Sequence, residues 1–172
     1  SISLKKFRDW DDVGPYFASY KGNTMHRDAE GRYDQYYVNE TGRNDIVGAK
    51  VARDSKYVWF YVETAENLTA KTDHHWMQLF IDVDRDKATG WNGYDFVVNR
   101  VNPKGKAVLE KNQQNIWMWE KESGCKYYTK GNKLVIRIPR AELGLADGPV
   151  DIEFKWNDNM QEDGNIMDFY VN

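Results

Sequence analysis

The stretch KYVWFYV, residues 56–62, shows most clearly the pattern that decides the fold. Two sets of side chains alternate along it: Val58, Phe60 and Val62 on one side, and Tyr57, Trp59 and Tyr61 on the other. A period of two is typical of a β-strand with one face in a core. We predict a strand here, and a hairpin turn at residues 53–55 that joins it to a strand around residues 47–51. The aromatic side is either covered by a loop or exposed as a platform.

The same alternation returns along the rest of the chain. It predicts further strands at residues 76–84, 94–100, 133–138, 150–156 and 167–171. Helical signals are scarce, and residues 139–144, with Pro first and Gly last, predict a single turn. Many short strands separated by turn-rich stretches favour an all-β fold. We predict an antiparallel β-sandwich, jelly-roll-like, with at most one or two short helical turns.

The length and charge of the chain limit its domain count and its partners. With 172 residues it fits one domain over residues 1–172. Because the last predicted strand stops at the chain end, we expect this domain to be a fragment of a larger protein with further linked domains. The net charge of -3 and the lack of a basic stripe argue against nucleic acid, and the apolar runs are too short for membrane insertion. Cys125 is the only cysteine, which excludes an internal disulfide.

Several stretches resemble a known family. WMQLFIDVDRDKATGWNGYDFVVNR (residues 76–100) and GNKLVIRIPRAELGL (residues 131–145) resemble the family 9 carbohydrate-binding modules and the wider, DOMON-related group of sandwich domains. RDWDDV (residues 8–13) is similar to the DWxxV that begins many such domains, although the usual preceding IDG is absent. FKWNDNMQEDGNIMDFYVN (residues 154–172) resembles a version found at the C-terminus of larger secreted proteins of gut Bacteroidetes.

This resemblance implies a β-sandwich from a secreted, periplasmic or cell-surface bacterial protein. It implies a non-catalytic accessory module that binds polysaccharide or oligosaccharide. Such a module holds a glycan-processing protein on its substrate and breaks no bond itself. Members of the wider group also include haem-carrying electron-transfer domains and domains of unknown role, so the resemblance indicates the fold more specifically than the ligand. The main alternative is a structural or interaction module without sugar affinity.

A run of carboxylates follows the strand predicted at residues 76–84. Asp82, Asp84 and Asp86 alternate there, and Asp95 comes later. Calcium takes six to eight oxygen ligands, so we predict these four residues as a calcium site, which the resembling family also carries. The spacing departs from an EF-hand, whose sharp-turn glycine is replaced by a lysine. The alternative is a turn in which the Asp side chains cap backbone N–H groups.

Trp rings are the candidates for stacking on sugar, because sugars present flat C–H faces ringed by hydroxyls. In the resembling sugar binders two Trp clamp a terminal sugar. The predicted carbohydrate-binding residues are Trp76, Trp91, Trp117, Trp119, Asn92 and Gln113. For each ring the alternative is packing in the core, which we prefer for Trp156 because it shares parity with two apolar strand residues.

Catalytic signals are weak. No GxSxG, HExxH or Gly-rich phosphate loop occurs, and the sequence identifies no carboxylate pair of the kind that glycoside hydrolysis needs. A haem would need axial ligands such as His74, His75 and Met77, but no CxxCH is present. We therefore predict that the domain is not an enzyme, with a glycoside hydrolase and a haem domain as the weaker alternatives.

Overall fold

The computed structural model describes residues 1–14, 16–18, 26–28, 31–38 and 43–158. The strand predicted at residues 167–171 lies outside these residues. The described residues form eleven strands: β1 (Tyr16–Ala18), β2 (His26–Asp28), β3 (Gly31–Val38), β4 (Ile46–Arg53), β5 (Tyr57–Thr64), β6 (Gln78–Asp82), β7 (Phe96–Val98), β8 (Ala107–Asn112), β9 (Trp119–Lys130), β10 (Lys133–Pro139) and β11 (Val150–Asn157). Two short 3-10 turns, Phe7–Trp10 and Arg140–Leu143, are the helical elements of this part of the chain.

The eleven strands form one continuous hydrogen-bonded series. Their order is β1-β4-β5-β10-β9-β8-β7-β6-β11-β3-β2. Each of these pairings is antiparallel except that of β3 with β11, which is parallel. Over the described residues, the predicted all-β, antiparallel class with at most one or two short helical turns is therefore confirmed, while the jelly-roll-like sandwich arrangement stays a prediction.

Strand β9 connects the two halves of the series. Its first part, from Trp119, pairs with β8, and its last part, up to Lys130, pairs with β10. The two halves share the main core, in which Phe60 of β5 meets Phe154 of β11 edge-on at 5.5 Å between ring centroids. Because one strand serves both halves, the hydrogen-bonded series is continuous, and the division into the two packed sheets of a sandwich stays a prediction.

The hairpin predicted from KYVWFYV is confirmed. β4 and β5 pair antiparallel, and the side chain of Asp54 accepts hydrogen bonds from the N–H groups of Lys56 and Tyr57, both at 2.8 Å. The predicted turn after β10 is also present and ends at Gly144 in the left-handed conformation, with φ of 71°. The β8–β9 hairpin was not predicted, because seven of the twelve residues of β9 are exposed, five of them charged, and the strand shows no apolar alternation.

The aromatic side of β5 is covered. Trp10, which is 1% exposed, stacks on Tyr61 with 5.1 Å between ring centroids and 22° between planes. Phe7 stacks on Tyr128 of β9 at 5.4 Å. The N-terminal segment thus forms a second small core on the outer side of β5, β9 and β10, so this stripe is no exposed platform.

Candidate functional site

A cluster of aromatic side chains lies on the face of β6 and β7 that points away from the main core. We call it the aromatic cluster, and its members are Phe80, Trp91, Tyr94, Val97, Trp117 and Trp119. Phe80 belongs to it because its neighbours Leu79 and Ile81 point into the main core, and successive strand residues point to opposite faces. Strand alternation therefore gives the sheet a second apolar surface outside the core.

Trp117 and Trp119 form the accessible part of this cluster. Both side chains are half-buried, and their rings meet almost at right angles, with 5.5 Å between centroids and 86° between planes. Trp117 also meets Trp91 edge-on at 4.7 Å, and Trp119 meets Phe80 at 6.2 Å. Trp117 lies in the β8–β9 connection, and Trp119 begins β9.

Trp91 supports the pair but is itself covered. It is 7% exposed and exchanges two backbone hydrogen bonds with Tyr94, at 2.9 and 2.8 Å, which close a tight turn. Asn92 lies at the tip of this turn with its side chain exposed and φ of 50°. Gly90 precedes the turn, and its N–H donates to Asn115 Oδ1 at 2.7 Å. This bond ties the turn to the β8–β9 connection.

Trp76 and Gln113 are the two remaining residues of the predicted binding set, and only Gln113 lies near the Trp pair. The prediction for Trp76 is corrected: its ring is 1% exposed in the main core, and its Nε1–H donates to the carbonyl of Thr69 at 2.9 Å. A ring in that position cannot reach a sugar. Gln113 lies beside the pair, half-buried, and its Nε2 donates to the carbonyl of Lys111 at 3.3 Å. Trp156 is fully buried in the core, as predicted.

Three of the four predicted calcium ligands come together. Asp82, Asp84 and Asp95 each offer a carboxylate oxygen, and these oxygens all lie within 4.8 Å of one another. Asp86 is the exception and corrects the prediction, because its carboxylate accepts a hydrogen bond from the N–H of Ala88 at 2.8 Å, outside the cluster. It caps its own turn, which is the alternative that the sequence left open.

The three carboxylates of this cluster carry like charges and repel one another. Burial, followed by the nearby charges of Asp84 and Asp82, raises the pKa of Asp95 to about 7. Burial also raises the pKa of Asp82, although Lys87 Nζ lies 3.2 Å from its Oδ2. Hydrogen bonds from Thr89 and Asp86 lower the pKa of Asp84 against the effect of its burial. An all-oxygen donor set with excess negative charge suits a hard cation such as calcium, so the residues fit the ion that the resemblance implies.

The same carboxylates also organise the loop. Asp82 Oδ1 accepts hydrogen bonds from the N–H groups of Asp84 and Arg85, at 3.2 and 2.8 Å. Asp95 Oδ2 accepts from the N–H of Val83 at 2.9 Å. The cluster therefore fixes both ends of the segment that carries Trp91 and Asn92.

Sequence reasoning missed Phe80 and Asn115. Phe80 sits in an apolar run and gives no signal of its own, although a strict period of two over residues 77–81 places it opposite its neighbours. Asn115 adopts a left-handed conformation, with φ of 57°, within a turn-rich stretch. Its role depends on a contact across 25 residues of sequence, which no local pattern reveals.

The chain was compared with family models, with curated proteins and with solved structures, and no match was found in any of the three. Within the described ranges, the structure contains no helix with the length and apolar character needed to cross a bilayer.

Proposed function

We propose that the chain is a non-catalytic module that binds carbohydrate at Trp117 and Trp119, as part of a larger secreted, periplasmic or cell-surface bacterial protein that processes glycans. The observation that carries this proposal is the adjacent, half-exposed Trp pair on a buried aromatic base. The resemblance of residues 76–100 and 131–145 to family 9 carbohydrate-binding modules supports the same conclusion.

The aromatic base supports binding because it holds the rings in place before a ligand arrives. Trp117 is packed between Trp91 and Trp119, and Phe80 lies beneath at 6.1 Å from the Trp117 ring. A ring that is already immobilised loses little conformational entropy when a sugar stacks on it. Two indoles at a right angle suit a sugar that places one C–H face on a ring and one edge on the other.

Polar side chains that could bind sugar hydroxyls surround the pair. Asn92 is exposed at the tip of its turn, and the Oε1 of Gln113 remains as an acceptor while its Nε2 is bound to Lys111. Gln114 and Asn115 continue the same connection in left-handed conformations. Amide side chains donate and accept together, as do hydroxyls, so this composition suits a neutral sugar.

A calcium ion would stabilise the loop next to the proposed binding surface. Asp82, Asp84 and Asp95 would hold the ion, which would neutralise the charge that they concentrate. The ion would fix the loop that presents Trp91 and Asn92. We propose a structural and not a catalytic role for these carboxylates, because their oxygens accept hydrogen bonds from the backbone of their own loop.

Titration calorimetry against a panel of plant and host glycans tests the proposal. We expect Trp117→Ala to weaken binding of the best glycan by about tenfold, the factor that corresponds to about 1.4 kcal/mol of lost stacking. Trp117→Phe keeps a ring and should lose less. The matched control is Met118→Ala, which removes a 42% exposed apolar side chain from the same connection without removing a ring, and it should bind within twofold of the unmodified chain.

Absence of binding to every glycan would overturn the proposal, as would equal losses in Trp117→Ala and Met118→Ala. One observation favours a second function in that case. Ile116 and Met118 are 52% and 42% exposed beside the Trp pair, and exposed apolar side chains at a loop tip suit contact with another protein. The chain would then be an interaction module.

A further inference from the structure

A cleft lies between the N-terminal segment and the turn that connects β9 to β10. It has a volume of about 640 Å³, within the range of ligand-binding sites. Its charged lining consists of five basic residues and one acidic residue: Lys5, Lys6, Arg8, Lys130, Lys133 and Asp9. We call it the basic cleft. This concentration of positive charge contrasts with the net charge of -3 of the whole chain.

The lining of the basic cleft has an excess of positive charge, because it contains five cations and one carboxylate. In the described part of the chain, none of its five cations forms an ion pair within 4.0 Å. Asp9 is the carboxylate of this lining, and its Oδ2 accepts hydrogen bonds from the N–H and Oγ of Ser3, at 3.0 and 3.1 Å. Glu63 of β5 is the cross-strand partner of Lys133 but does not line the cleft, and its Oε1 accepts a hydrogen bond from the hydroxyl of Tyr61 at 3.1 Å.

The strand register places like charges side by side at the mouth of the basic cleft. Lys130 and Lys133 are direct cross-strand partners at the end of the β9–β10 hairpin. Like charges in that relation destabilise a sheet. Local arrangements that cost stability are typical of functional sites, where a ligand relieves the conflict. An anion between the two ammonium groups would do so here.

The positive surface continues along β9. A second cavity of about 380 Å³ has Lys106, Lys121 and Lys126 in its lining, and among the described residues no acidic side chain lines it. Lys126 and Lys130 lie on the same face of the strand, since they are four residues apart. This separation is about 13 Å, so the cations form a row suited to a ligand with several spaced negative charges.

We propose that the basic cleft and the adjoining row of lysines bind an acidic polysaccharide that carries carboxylate or sulfate groups. The negative charge of the ligand follows from the cleft alone, whereas its being a saccharide rests on the proposed function. The basic cleft is distinct from the Trp pair, because the two lie at opposite ends of β9, up to about 36 Å apart along the strand from Trp119 to Lys130.

The ring contacts at the cleft disfavour nucleic acid. Phe7 lines the cleft, but one of its faces stacks on Tyr128 at 5.4 Å and 27° between planes, and Tyr61 packs edge-on at 6.2 Å. Proteins that bind single strands present free aromatic faces on which bases stack. The basic cleft instead presents cationic side chains, while the ring of Phe7 is already packed against Tyr61 and Tyr128. This arrangement suits a sugar chain that carries negative charges and needs no ring stacking.

The test measures binding of polygalacturonate and dextran sulfate at low salt, with neutral dextran and an oligo-dT of similar charge as comparisons. We expect both acidic polysaccharides to bind, with affinity that falls as salt rises. The double variant K130Q/K133Q should weaken binding by about tenfold, since each exposed charge contributes up to about fivefold. The matched control K56Q/K104Q removes the same charge from exposed lysines outside both cavities and should stay within twofold.

Each outcome decides the inference. No binding of either polyanion, or equal losses in the two double variants, would overturn it. Oligo-dT that binds as tightly, with the same loss in K130Q/K133Q, would assign the cleft to nucleic acid instead. Trp117→Ala should leave polyanion binding within twofold, so failure of the Trp site and failure of the basic cleft are distinguishable.

Discussion

Asp158, which directly follows β11, is expected to contribute strongly to the free energy of unfolding. Its side chain is 0% exposed and accepts hydrogen bonds from three residues, of which Arg43 donates two, since its Nη2 also donates to Oδ1 at 3.2 Å. Oδ1 accepts from the N–H of Met77 at 3.0 Å and from Asn44 Nδ2 at 3.2 Å, and Oδ2 accepts from Arg43 Nε at 2.8 Å. Arg43 also binds Asp73 at 2.6 Å. One carboxylate thus joins the segment before β4, the segment before β6 and the end of β11.

The cost of Asp158→Ala follows from these contacts. The buried N–H of Met77 would lose its acceptor, which costs about 1–3 kcal/mol. The hydrogen bond from the charged Arg43 is worth about 1.5–3 kcal/mol when buried, and less here because that side chain is 27% exposed. We expect a loss of about 3 kcal/mol, or about 6–12 °C in Tm for a chain of this length. Asp158→Asn keeps an acceptor for Met77 and should lose about half as much.

Urea unfolding followed by Trp fluorescence, together with calorimetric melting, measures these losses. The matched control is Asp73→Ala, which removes the other carboxylate on the same arginine. Asp73 is 37% exposed, so its removal should cost less than about 1 kcal/mol. Equal costs for the two alanine variants would refute the reasoning that burial of Asp158 makes its contacts strong.

Three further outcomes are expected. A chelator should lower the Tm of the unmodified chain. Asp95→Ala should abolish this response, and Asp86→Ala should keep it. A Tm of the unmodified chain that the chelator leaves unchanged would exclude the metal. Gly90→Ala should displace or unfold the Trp91 loop and reduce glycan affinity, because a Cβ there would lie 2.2 Å from the carbonyl oxygen of residue 94. In the control Gly105→Ala, also at positive φ, the Cβ meets nothing within 4 Å, so the free energy of unfolding should fall by only about 1 kcal/mol. Hydrogen bonding to Arg43 lowers the pKa of Asp73 in the folded chain. The stability that Asp73 contributes is therefore present above the pKa of the unfolded chain and is lost as pH falls through the lower folded value. Between about pH 6 and about pH 2.5, the Tm should fall more steeply for the unmodified chain than for Asp73→Asn.

The basic cleft shows how far sequence reasoning extends. The sequence has no basic stripe, because Lys5, Lys6 and Arg8 are separated from Lys130 and Lys133 by more than a hundred positions. They line one cleft only after Phe7 packs on Tyr128 and brings the N-terminal segment onto β9. Charge patterns that fold together from distant segments are invisible to a scan of neighbouring residues.

Local periodicity by itself determined the all-β class, the β4–β5 hairpin and the division of β5 into an aliphatic and an aromatic side, since alternation of side chains is a property of the extended backbone. It also determined that Asp82, Asp84 and Asp95 flank one loop. Only the tertiary structure decided which Trp is accessible: Trp76 and Trp117 look alike in sequence, yet one is buried in the main core and the other remains half-exposed. The physical reason is that exposure depends on what packs against a face, and the packing partners come from strands far apart in the chain.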